Sequence, residues 1–216
     1  MKAIVIGATG LVGNLILKEI LNDAEFSEVR IFVRKTTGIT DPKLKEFVTP
    51  MQDIEVLSSD IKGDVLFNAL GTTIKQAGSQ EEQQRIDRDL PIMFARIASE
   101  NGANLMLNVS SVGASLKSNF YLRTKAEMEN GTEKFFPGKT FNFRPSFLVG
   151  KRKEYRFAEK VAFVFMKLLD PVLTGSSKKY RSMPTDILAK AMVCLSKNPE
   201  GKPNVLYYPD IVNCIQ

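Results

Sequence analysis

Apolar residues along this chain fall into two alternating rhythms. Short, nearly continuous runs predict strands at Ala3–Ile6, Val29–Val33, Ile54–Val56, Val65–Ala69, Leu105–Val109, Thr140–Phe143 and Val205–Tyr207. Between them apolar positions return every three or four residues, which predicts helices over Leu11–Leu21, Asp41–Val48, Gln80–Glu100, Asn119–Glu133, Arg156–Leu169 and Thr185–Ser196. Several strand runs lack a polar face, as strands covered on both sides of a parallel sheet do. The alternation predicts an α/β fold, a doubly wound parallel sheet with helices on both faces. Pro91 falls inside the longest helical pattern. It has no amide hydrogen and its ring clashes with the preceding turn, so a break or kink is expected near Leu90.

Residues 146–184 depart from the alternation and carry Pro171, Gly175 and Ser176-Ser177. They are expected to form a small substrate-side lobe over the carboxyl ends of the strands, within a single domain spanning 1–216. The length of 216 residues suits one sizeable core. With 44% hydrophobic and 25% charged residues the chain has a globular composition. The longest apolar stretch, Val161–Leu169, is interrupted by Lys167 and is far shorter than the roughly 18 residues a membrane span needs. The first apolar run is itself a strand, so no leader is read there, and a cytoplasmic location is expected.

Charge and composition narrow the chemistry. The net charge is +6, but the short clusters Lys151–Lys153 and Lys178–Arg181 match no nucleic-acid motif, so no nucleic-acid partner and no membrane partner are expected. Histidine is absent, which excludes Ser-His-Asp and Cys-His catalysis and argues against zinc. The two cysteines, Cys194 and Cys214, have no metal or redox spacing. An acid or base must therefore come from Tyr, Lys, Ser or a carboxylate.

The first strand runs directly into Gly7-Ala8-Thr9-Gly10-Leu11-Val12-Gly13 and then a helix. In this setting Gly7 permits the turn out of the strand, Gly10 lets backbone approach a pyrophosphate, and Gly13 lets helix and strand pack closely. The helix N-terminus adds unpaired N–H groups and a partial positive charge. The second strand ends on Arg34-Lys35, where a carboxylate would bind a ribose 2′-OH. Two cations there favour a 2′-phosphate, so the expected cofactor is NADP(H). Ser58-Ser59-Asp60 is open to two readings, Asp60 near an adenine or a helix cap. Leu70-Gly71 follows the next strand and allows a close backbone approach to the cofactor.

Ser110-Ser111 ends the strand at Leu105–Val109, and Tyr121 and Lys125 follow four residues apart, on one face of a helix. A tyrosine ordinarily loses its proton near pH ~10, and a neighbouring ammonium favours the phenolate, which makes the pair usable for acid/base work. The serine can hydrogen-bond a substrate oxygen.

The glycine loop, Asn68-Ala69-Leu70-Gly71, Ser110-Ser111, Tyr121 with Lys125, and Phe143-Arg144-Pro145 together resemble the short-chain dehydrogenase/reductase superfamily. Leu70–Thr73, Ala77-Gly78, Lys117–Tyr121 and Phe143–Pro145 are similar to its atypical branch, which includes the Tat-interacting oxidoreductase and bacterial relatives. The resemblance implies a Rossmann fold, bound NADPH and a Ser111, Tyr121, Lys125 catalytic set. In it Lys125 also holds the nicotinamide ribose, Ser111 rather than Ser110 orients a carbonyl, and Pro145, Phe147 and Leu148 lie beside the nicotinamide. The expected activity is hydride transfer to or from a small carbonyl or alcohol, by a monomer or homodimer. A non-catalytic NADP(H)-binding sensor is the alternative from another class. An epimerase or dehydratase acting on a nucleotide sugar shares the motifs but needs a larger lobe.

Overall fold

The computed structural model describes residues 1–52, 54–150 and 173–215. In chain order its main elements are β1 (Lys2–Ile6), α1 (Gly13–Asn22), β2 (Glu28–Val33), β3 (Leu44–Val48), β4 (Val65–Asn68), α2 (Ile74–Ala77), α3 (Gln80–Gln84) and α4 (Leu90–Glu100). There follow β5 (Leu105–Val109), α5 (Phe120–Glu133), β6 (Thr140–Phe143), β7 (Leu148–Val149), β8 (Met183–Pro184), α6 (Thr185–Lys197), β9 (Val205–Leu206) and α7 (Tyr208–Asn213).

Seven strands form one sheet in the order β3-β2-β1-β4-β5-β6-β9, and every neighbouring pair is parallel. The chain builds outward from β1 through β2 and β3, then returns to β1's other side with β4. Strand order therefore reverses between β1 and β4, and a crevice opens at their carboxyl ends. This is the expected doubly wound, Rossmann-like α/β architecture.

Both faces of the sheet are covered. Ala3 and Val5 of β1 pack with Ile16, Leu17 and Ile20 of α1 and Leu188 and Met192 of α6. Ile4 and Ile6 face the other way, into a core with Phe32, Leu66 and Phe94. Each fully buried Ile or Phe there stabilises the fold by about 1.5–3 kcal/mol. Alternate residues thus serve two cores, which is why the strand runs read as unbroken apolar segments.

Three local expectations are corrected. Asp41–Val48 is not a helix. The Leu44 N–H donates to the Asp41 carbonyl at 3.0 Å in a turn, and Leu44–Val48 then pairs along β2 as an edge strand. Phe47 stacks on Phe32 with ring centroids 5.0 Å apart, while Val48 is 59% exposed, so the helix-like spacing included a residue outside the core. Ile54–Val56 is not a strand but part of a 3-10 helical stretch, Ile54–Asp60, in which Ile54 is buried and Val56 is 80% exposed. The late strand ends at Leu206, because Tyr207 caps α7 by donating its N–H to Asp210 Oδ2 at 3.0 Å.

The expected break before Pro91 takes a particular form. α3 ends at Gln84, a five-residue π turn covers Arg85–Asp89, and α4 begins at Leu90 with Pro91 in its first turn. One extra residue enters the helix just where the missing proline amide would have interrupted it.

The described ends of the predicted lobe meet, since Leu148 and Val149 of β7 pair in parallel with Met183 and Pro184 of β8. The predicted helix Arg156–Leu169, the Lys151–Lys153 cluster and Pro171 lie outside the described residues. Among the described residues no helix is long and apolar enough to cross a membrane.

Candidate functional site

The loop between β1 and α1 is built from close backbone approaches. Gly7 has φ +81°, and a Cβ on it would lie 2.5 Å from the Ala69 carbonyl group of the loop after β4. A Cβ on Gly13 would lie 2.1 Å from the Gly7 carbonyl oxygen. Gly10 donates its N–H to that same oxygen at 2.9 Å, and a Cβ there would stand 3.2 Å from it. Ala8 and Val12 are buried beneath the loop, while Thr9 and Gly10 are exposed. α1 begins with no side-chain cap on its N-terminus and no acidic residue in its first turn. Its orphan N–H groups and dipole make a cradle suited to a phosphate. Gly7–Gly13 thus forms a tight turn that joins β1 to α1.

The loop after β5 and the segment after β6 close on one another. Ser110 donates its N–H to Phe143 O at 2.7 Å, and Val112 donates to Pro145 O at 2.9 Å. Leu148 packs against the α1-side core, Phe147 is 36% exposed, and a Cβ on Gly150 would lie 3.2 Å from Leu11 Cδ1. The structure thus brings the chain beyond Pro145 to the phosphate loop. Arg144 turns away from it. Its guanidinium makes a bidentate pair with Glu129 of α5 and donates to Tyr207 Oη at 3.2 Å. The Glu129 hydrogen bonds hold Arg144 further toward its charged form than an ordinary arginine.

Arg34 and Lys35 sit exposed just past β2. Glu82 of α3 is held below the usual carboxylate range, mainly by Arg85 with a smaller contribution from Arg34, which puts Arg34 near the start of the α3–α4 rod. Asp60 lies 3.5 Å from Arg30 of β2.

On α5, Asn119 caps the N-terminus by accepting the Leu122 N–H at 3.1 Å. Tyr121 is 41% exposed, whereas Lys125, one turn on, is only 2% exposed. Lys125 Nζ donates to Leu70 O at 3.2 Å and lies 3.7 Å from Asp87 Oδ2. Leu70 and Gly71 therefore lie beside Lys125. Ser111 donates its hydroxyl to the Val112 carbonyl at 3.4 Å, and the buried Ser110 Oγ has no hydrogen-bond partner among the described residues.

Two features escaped the sequence reading. Asp87 has no exposed surface, accepts the Thr72 N–H at 2.8 Å and faces Lys125. In the sequence it is one of four charges in Arg85–Asp89, and it falls on the same buried helical stripe as Gln83, Leu90, Pro91 and Phe94. The second is a row of asparagines at matching register on β4, β5 and β6. Asn68 donates to Asn108 at 2.9 Å, and Asn108 donates to Asn142 and to Thr132 of α5, each at 3.0 Å. Asn68 Oδ1 also accepts the Leu70 N–H at 3.0 Å, so the row fixes the loop that meets Lys125. The signal was present as an Asn near the end of each of three apolar runs, Val65–Asn68, Leu105–Asn108 and Thr140–Asn142.

Comparison with known proteins places the chain. No model of a known protein family matches it. It is 33% identical over 196 residues to "Protein fmp52, mitochondrial" of Emericella nidulans, covering 87% of this chain and 84% of that protein. The chain belongs to the FMP52 family. "Protein FMP52, mitochondrial" of Eremothecium gossypii is also 33% identical, over 78% of this chain and 77% of its own length. Among solved structures, a short-chain dehydrogenase/reductase superfamily protein from Agrobacterium tumefaciens with bound NAD superposes with a TM-score of 0.68. At 13% identity, covering 93% of this chain and 75% of that one, it shows a shared fold. The expected cytoplasmic location does not stand, because the FMP52 relatives are named as mitochondrial. A hydrophobic pattern reports which residues are buried, not the compartment a chain is delivered to.

A depression of about 500 Å³ in this FMP52-family chain is lined by residues such as Glu19, Asn22, Lys190 and Lys197. It lies between the C-terminal halves of α1 and α6, at the end opposite the phosphate loop, and holds none of the candidate site residues.

Proposed function

We propose that this chain binds a nicotinamide dinucleotide, NADP(H) in preference to NAD(H), and serves hydride transfer to or from a small carbonyl or alcohol. The observation that carries this reading is the N-terminus of α1, with no side-chain cap and no acidic residue in its first turn, behind a loop whose glycines let strand, loop and helix close on one another. When bound, the nicotinamide supplies the hydride donor or acceptor. The chain's own residues supply placement and proton handling. The loop amides and the α1 N-terminus receive the pyrophosphate, and Arg34 and Lys35 pair with a 2′-phosphate. Lys125, anchored at Leu70, faces the nicotinamide ribose, and Pro145, Phe147 and Leu148 wall the nicotinamide side. Tyr121 is the acid/base, and Ser111 orients the substrate oxygen. Kinship with the atypical short-chain dehydrogenase branch that includes the Tat-interacting oxidoreductase belongs to the same reading. So does a single domain whose 146–184 segment covers the substrate.

Calorimetric titration of NADPH and NADH into wild type and Arg34→Ala tests the cofactor. The expected result is tighter NADPH binding in wild type and a loss of about tenfold for NADPH alone in the variant, the size of one charge-assisted pair. Wild type that binds neither dinucleotide overturns the reading. Tyr121→Phe should then bind NADPH normally but fail to oxidise it with any carbonyl that wild type accepts.

A non-catalytic NADP(H) sensor is the second reading. It is favoured by the 41% exposure of Tyr121 and by a Ser111 hydroxyl directed to the Val112 carbonyl. NADPH binding without oxidation across a broad carbonyl panel would select it.

A further inference from the structure

The proposed chemistry leaves Asp87 unused. Its carboxyl group has no exposed surface, sits in the π turn, and gives Oδ1 to the Thr72 N–H. Its Oδ2 is buried without a hydrogen-bond partner among the described residues and stands 3.7 Å from Lys125 Nζ. The charged neighbours on its own segment turn elsewhere, Arg85 to Glu82 and Arg88 to Asp89 and Glu127. Burial raises the Asp87 carboxyl above the usual carboxylate range, and Lys125 pulls it back toward the charged form.

A carboxylate this deep is unfavourable unless something uses its charge, and an asparagine could take the Thr72 N–H at lower cost. At 3.7 Å the Asp87–Lys125 contact is attractive without being a hydrogen bond. An ammonium has three N–H donors, and the Leu70 carbonyl takes one. The carboxylate therefore orients the charge while leaving donors free for an incoming ligand. The same side chain also ties Thr72 to the π turn, so Leu70-Gly71-Thr72 and Lys125 are held as one unit.

We propose that Asp87 is a positioning residue that acts through Lys125, holding the ammonium under the Leu70–Thr72 loop with donors left over for the nicotinamide ribose. This rests on the cofactor-binding reading above. The test is NADPH affinity for wild type, Asp87→Asn, Lys125→Met and the double variant, with thermal unfolding of each. Each single change should weaken binding about tenfold, and the double variant should bind no more weakly than Lys125→Met, because the carboxylate has no role once the ammonium is gone. Wild-type affinity in Asp87→Asn, or additive losses in the double variant, overturns the role while leaving the cofactor reading intact. Wild type that binds neither dinucleotide overturns both. Should Asp87→Asn fail to fold, the carboxyl ¹³C resonance of Asp87 in wild type decides. A shift on NADPH saturation supports the coupling, and an unmoved resonance overturns it.

Discussion

A methyl group added at Gly13 would sit 2.1 Å from the Gly7 carbonyl oxygen, whereas one at Gly10 would sit 3.2 Å from it. The first is an overlap with rigid backbone, and the second needs a shift of a few tenths of an ångström. Gly13→Ala should therefore destabilise the fold by about 1–3 kcal/mol and abolish dinucleotide binding. Gly10→Ala should fold close to normally and bind weakly, because its new methyl intrudes on the phosphate approach. Urea unfolding and NADPH titration of the two variants check the ranking, and equal behaviour would contradict it. At this scale the glycines were legible because three of them at fixed spacing after a strand have a local geometric meaning. Asp87 was not legible. It lies on the buried stripe of Gln83, Leu90, Pro91 and Phe94, but periodicity marks which face is covered and does not name Lys125 as the group that a carboxylate there would meet.

Among the elements, the middle of the sheet carries the polar row that the site leans on. Asn108 takes part in contacts with Asn68, Asn142 and Thr132, and Asn68 in turn fixes Leu70. Asn108→Leu removes one partner from each and leaves buried polar atoms unsatisfied, at about 1–3 kcal/mol apiece. The expected outcome is a loss of several kcal/mol in urea unfolding, together with weaker NADPH binding because the Leu70 loop loosens. A variant as stable as wild type would show that the row is incidental. Most elements were legible from periodicity, and Leu105–Val109 and Thr140–Phe143 coincide with the expected bounds. β3 was not. Its Leu44, Phe47 and Val48 mimic a helical stripe, and pairing with β2 overrides that local preference.

For the molecule as a whole, acid sensitivity follows from how the sheet edge is fastened. Glu28 of β2 is hydrogen-bonded first by Lys45 of β3 and then by Arg30, which hold its carboxyl below the ordinary 4.5. A lowered folded value means that the stability it contributes is present above pH ~4.5 and is lost as pH falls through the lowered value. Asp87 has the opposite sign, since its raised value makes its contribution fall as pH rises above the ordinary 3.8. Glu28→Gln should therefore flatten the decline in urea midpoint between about pH 5 and about pH 2. An acid limb as steep as wild type would show that the edge strand is not held this way.

By itself the sequence determined the doubly wound class, the opening strand, loop and helix, and the pairing of Tyr121 with Lys125 on one helix face. Each of these is set by residues a few positions apart, whose period and backbone freedom have the same meaning in any context. Only the tertiary structure decided that Lys125 faces a buried carboxylate, that Arg144 serves Glu129, and that three asparagines stand in one row. Those contacts join residues 15 to 40 positions apart, as with Arg144 and Glu129 or Asn68 and Asn108. They exist because strand register and the packing of helices on the sheet bring the side chains together, and register is a property of the packed sheet, not of any single segment.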